Sequence, residues 1–70
     1  MSYYFTVSVP KSDFDLLNQI SFIFRKAYNI KPCGFGTGLY GHIQFDYKCN
    51  SIEKTKILKK LAKKLGAELC

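Results

Sequence analysis

From Tyr3 to Val9 every second residue is apolar, with Tyr3, Phe5, Val7 and Val9 on one side and Tyr4, Thr6 and Ser8 on the other. Successive side chains of a strand point to opposite faces, so this alternation predicts a strand with one buried face. Pro10, which has no N–H for a ladder, marks its end. The period then changes. Phe14, Leu17, Ile20, Phe24, Ala27 and Tyr28 recur at helical spacing, which predicts a helix from about Asp13 to Tyr28. Ser12 with Asp15 three residues on suits its start, and the acids Asp13 and Asp15 suit the positive end of its dipole. Arg25 and Lys26 fall near its C-terminal end, Phe22 projects to its polar side, and Pro32 lies just beyond it.

Alternation returns between Gly41 and Cys49, where Gly41, Ile43, Phe45, Tyr47 and Cys49 interleave with His42, Gln44, Asp46 and Lys48. Lys31 to Phe35 is the expected hairpin partner of this second strand, with the turn near Thr37 and Gly38. The stretch NSIEKTKILKKLAKKLG, from Asn50 to Gly66, is again helical. Ile57, Leu58, Leu61, Ala62 and Leu65 share one face, and Lys56, Lys59, Lys60, Lys63 and Lys64 share the other. Asn50 with Glu53 resembles a capping box, and Gly66 can take the left-handed conformation that stops a helix. Ala67 to Cys70 leaves room for a very short edge strand.

This order of elements predicts an α+β two-layer sandwich, a small antiparallel sheet with two helices on one face. The expected arrangement is the split βαβ, ferredoxin-like one, either truncated after the second helix or completed by a stub of a fourth strand. Truncation would leave Tyr3 to Val9 as an open edge and predicts a homodimer through the first strand.

Seventy residues make a single domain, 1–70, with one modest core and no room for a typical enzyme cleft. With 47% apolar residues and eleven Phe and Tyr, the chain can bury enough surface to offset its ordering entropy. Cys33, Cys49 and Cys70 are an odd number without paired spacing, which argues against a disulfide framework and for a reducing, cytoplasmic setting. The N-terminus has no signal-peptide pattern, and nowhere is there an apolar run of about 18 residues, so neither processing nor a membrane partner is expected. Enrichment in Lys, Ile, Phe and Tyr is what AT-rich coding produces, and points to a phage, a plasmid or an AT-rich host.

The candidate chemistry is sparse. Gly36, Gly38 and Gly41 spell GxGxxG, but a strand follows where a dinucleotide site needs a helix N-terminus. GTGLYGHI resembles the glycine-rich loop of protein kinases over eight residues, without the lysine strand, catalytic loop or metal-binding Asp of those enzymes. His42, Cys33, Cys49 and Cys70 lack the spacing of a zinc site, and no third residue is placed to orient His42 for a thiol–imidazole pair with Cys33. A buried cysteine and a histidine on the open sheet face are expected instead. The five acids are scattered, so no catalytic residue, metal or cofactor is expected. RNA-recognition motifs share the predicted topology and stack bases on aromatics of the two central strands. Tyr4, with Tyr40 or His42, could serve as such platforms, but the KGFGFVxF-like signature is missing and Asp46 would repel phosphate.

Charge changes the picture most. The formal net charge is +6, and six of the eleven basic residues fall in the second helix, where Glu53 is the only acid. Lys56 with Lys60 and Lys59 with Lys63 are like-charge pairs four residues apart, each costing about 0.2–0.5 kcal/mol. A row kept at that cost is expected to meet an acidic partner. The leading expectation is a small, non-enzymatic module that sets Lys56, Lys59, Lys60, Lys63 and Lys64 on nucleic-acid phosphates, with Arg25 and Lys26 adding to the patch. The alternative is a phage or mobile-element inhibitor that docks on an acidic host protein or a ribonucleoprotein, using the same lysines with Phe22, or with Tyr4 and the first strand.

Overall fold

The computed structural model describes residues 2–38 and 41–69. Four strands, β1 (Tyr3–Pro10), β2 (Gly34–Thr37), β3 (His42–Cys49) and β4 (Glu68–Leu69), form one antiparallel sheet in the order β2-β3-β1-β4. Between them run α1 (Phe14–Tyr28), entered through a 3-10 turn at Lys11–Asp13, and α2 (Ile52–Lys64). Both helices cover the same face of the sheet, and each of the two crossovers skips one strand. This is the complete ferredoxin-like βαββαβ sandwich, with β4 present as a two-residue strand.

The register fixes which residues face the helices. Phe5 lies opposite Tyr47, Val7 opposite Phe45 and Val9 opposite Ile43, and these pairs form the inner face. Leu17, Ile20 and Phe24 of α1, with Leu58 and Ala62 of α2, close over them and complete a buried core. Its centre is aromatic: Tyr47 stacks on Phe5 at 5.4 Å and meets Phe24 edge-on at 5.0 Å between ring centroids. The open face carries Tyr4, Thr6 and Ser8 beside Lys48, Asp46 and Gln44, and it is tied across by a 2.7 Å hydrogen bond from Thr6 Oγ1 to Asp46 Oδ1. Asp46 also leans over Gly34, where a Cβ would come within 2.8 Å of its Oδ2, so a larger residue at that position of β2 would have to displace the Asp46 carboxylate.

Several sequence expectations shift by one turn or less. Ser51, not Asn50, caps α2: its Oγ accepts the Lys54 amide at 3.2 Å, while Thr55 Oγ1 donates to the Ser51 carbonyl at 2.8 Å. At the other end Gly66 has a φ of +106°, and the amides of Gly66 and Ala67 close onto the carbonyls of Lys63 and Ala62. α1 begins at Phe14 behind Asp13, without a side-chain cap from Ser12, because the 3-10 turn takes up Lys11 to Asp13. Asn29 ends it in the left-handed conformation with φ 56°. The hairpin partner is Gly34–Thr37, paired from Asp46 to Ile43, not Lys31 to Phe35, since Pro32 has no N–H to give to a ladder.

Burial on the helices also departs from a simple apolar stripe. Phe14 and Ala27, expected inside, are exposed at the two ends of α1, while Leu16 and Tyr28 are half-buried. On α2, Thr55 is buried where Ile57 and Leu65 were expected, and Ile57 is 49% exposed. The helix is rolled toward its Thr55 side because that hydroxyl is satisfied by the Ser51 carbonyl and can be buried at little cost. Among the described residues no helix is long and apolar enough to cross a membrane.

Candidate functional site

The lysine row of α2 lies opposite the buried stripe of Thr55, Leu58 and Ala62. Lys56, Lys60, Lys63 and Lys64 are exposed, and Lys59, on the flank nearest the sheet, is half-buried. From Lys56 to Lys64 the row spans about 12 Å along the helix axis. The one contact within 4.0 Å between a basic and an acidic side chain among the described residues brings His42 Nε2 to 3.8 Å from Glu68 Oε2, on the open face of the sheet. No carboxylate among the described residues therefore lies within 4.0 Å of any lysine.

Other residues singled out in the sequence do not all join this row. The helices run antiparallel, with Gly66, after the end of α2, against Leu16 near the start of α1. Arg25 and Lys26, in the last turn of α1, thus lie toward the first turns of α2 and away from Lys63 and Lys64. Lys26 Nζ sits 5.8 Å from the centroid of the Phe22 ring, which is 61% exposed on the outer surface of the helical layer. Tyr4, 67% exposed, lies on the opposite side of the molecule, on the open sheet face beside Lys48. Phe22 and Tyr4 consequently cannot belong to one flat interface.

The soft residues are dispersed. Cys33 is exposed, contrary to expectation, because it precedes β2 and gives its amide, not its side chain, to the Asp46 carbonyl at 2.7 Å. His42 faces the open side of the sheet as expected. It lies beyond the far end of β2, where its carbonyl accepts the Gly38 amide at 2.7 Å, about 16 Å from Cys33 along the ladder, so the two do not form a catalytic pair. Cys49 is buried, with its thiol directed to the Ser51 carbonyl at 3.4 Å. Among the described residues no three His, Cys, Asp or Glu side chains converge on a metal position. Tyr40 as a stacking platform and Cys70 as a fourth soft ligand lie outside the described residues.

One basic feature is invisible in the linear pattern. At the end of the molecule where α1 stops, β3 stops and α2 begins, an open cavity of roughly 530 Å³ is lined by Lys31, Lys48 and Lys54 with Asn50 and Ser51. Lys31 follows a helix, Lys48 is on the polar side of a strand, and Lys54 opens the second helix; only the folded topology gathers them. No family model, curated protein or solved structure matches the chain.

Proposed function

We propose that the protein is a non-enzymatic module that binds nucleic-acid phosphates through the exposed face of α2. The observation that carries this reading is the unneutralised row of Lys56, Lys59, Lys60, Lys63 and Lys64 on one helix, in a chain of net charge +6. Lysine acts as a point charge without reading base edges, so the binding is largely independent of sequence and strongly dependent on salt. Five phosphate contacts correspond to a log–log salt slope of about −4.5 on duplex DNA and about −3.5 on single strands. Fluorescence anisotropy with labelled duplex and single-stranded DNA and RNA across a salt series measures this directly. Lys60→Glu with Lys64→Glu is expected to flatten the slope by about two and weaken binding at least tenfold at low salt. No binding at about 50 mM salt removes the proposal.

Exposed Phe22 favours a second reading, in which the same helical layer docks on an acidic host protein, as a phage or mobile-element inhibitor in the cytoplasm would. Aromatic residues are enriched in protein interfaces, and the Phe22 ring is open to such a contact. In that case Phe22→Asp abolishes association with the partner while leaving both the fold and the salt-dependent nucleic-acid binding unchanged.

A further inference from the structure

The cavity between the end of α1 and the start of α2 is a second basic feature, built from residues other than those of the lysine row. We infer that it is a binding site for the phosphate of one nucleotide, held by Lys31, Lys48 and Lys54.

Three observations carry this. The three lysines come from three different elements and line one concavity, and no acidic residue is part of its lining. No described carboxylate lies within 4.0 Å of any of their ammonium groups, so none of the three lysines is neutralised by an ion pair among the described residues. Lining one concave space from three elements is also what separates these lysines from the convex row on α2, because a cleft lined by one sign of charge concentrates the field on whatever enters. At roughly 530 Å³ the space lies within the usual range of small-molecule sites, and far exceeds the roughly 30 Å³ share of one water. Besides the lysines the wall includes Tyr28 and Ile30, both half-buried, and the polar Asn50 and Ser51. A charged end for phosphate and a mixed aromatic and polar remainder match a nucleotide better than a bare inorganic ion. The positive end of the α2 dipole at Ser51 adds to the same field without being needed for it.

The shared chemistry is a phosphomonoester, and it has two sources: a free mononucleotide, or the terminal phosphate of a nucleic-acid strand. The test uses the full chain, with ten-residue oligothymidylate carrying either a 5′ phosphate or a 5′ hydroxyl, and with AMP. The expected result is at least tenfold tighter binding of the phosphorylated oligonucleotide, with the preference lost in Lys48→Gln/Lys54→Gln and kept in Lys60→Glu/Lys64→Glu. Competition by AMP at comparable concentration assigns the cavity to a free nucleotide, and preference without competition assigns it to a strand end. NMR titration with AMP provides a readout independent of the α2 row, with amide shifts expected at Asn50, Ser51 and Lys54. Equal affinity for both oligonucleotides, together with AMP shifts absent there or spread along α2, overturns the inference and leaves the reading of the lysine row standing. Loss of all oligonucleotide binding with the AMP shifts intact has the opposite meaning.

Discussion

Tyr47 holds the centre of the core with its ring and places a hydroxyl where water cannot reach. The side chain is fully buried, and its oxygen has no hydrogen-bond partner of good geometry, although Ser21 of α1 is close enough to lower the cost of ionising it slightly. Burial pushes the phenol above its ordinary pKa of 10.0. In the unfolded chain the phenol ionises at its ordinary value, so above that pH the unfolded state holds fewer protons than the folded one, and stability falls as pH rises. Below that pH the group is neutral in both states and contributes no pH dependence. Tyr47→Phe removes the unpaired oxygen while keeping the stacks on Phe5 and Phe24. It is expected to be neutral or stabilising by about 1 kcal/mol near neutral pH, and to soften the alkaline loss of stability, as read from urea unfolding between neutral pH and about pH 11. A Tyr47→Phe variant clearly less stable than the parent would mean that the hydroxyl is satisfied after all.

At the scale of elements, alternation made the two long strands legible because one face of each is apolar, and their register sets Tyr3, Phe5, Val7 and Val9 opposite Cys49, Tyr47, Phe45 and Ile43. The amphipathic periods located both helices for the same reason. What the sequence did not reveal was the roll of each helix about its axis and the position of β2. Roll depends on which polar groups find local partners: Thr55 can be buried because the Ser51 carbonyl accepts its hydroxyl, and Ile57 is left half in solvent. β2 is short, with glycine at two of its four positions, so it carries no apolar alternation from which its register could be read. The lysine row was legible as one face of a period, whereas the cavity lysines, on three elements, were not. The roll gives a direct test. Leu58→Ala, at a fully buried site, is expected to cost about 2–5 kcal/mol, while Ile57→Ala costs under about 1 kcal/mol, in chemical denaturation. The reverse order would return α2 to the orientation that its apolar stripe alone implies.

Across the whole molecule, the first strand is interior for part of its length and an edge for the rest. β3 pairs with all of β1, from Tyr3 to Pro10, but on the other side β4 pairs only with Val7 and Ser8 among the described residues. Among the described residues nothing else pairs with that side of β1 from Tyr3 to Phe5, which makes this stretch a candidate edge for a second copy of the chain. Self-pairing has an electrostatic opponent. α2 packs over β1 and β4, so two copies joined along this edge bring two lysine rows toward each other. Repulsion between exposed rows is screened as the Debye length falls from about 10 Å at 0.1 M salt to about 3 Å at 1 M. Self-association is consequently expected to strengthen with salt, opposite in sign to phosphate binding, which weakens. Sedimentation velocity should give a monomer at low ionic strength and a concentration-dependent dimer near 1 M salt. Tyr4→Lys, which adds a charge at an exposed position of the edge without touching the core, should hold the chain monomeric throughout. A dimer that forms equally well at low salt, or that ignores the substitution, would have to use some surface other than this edge.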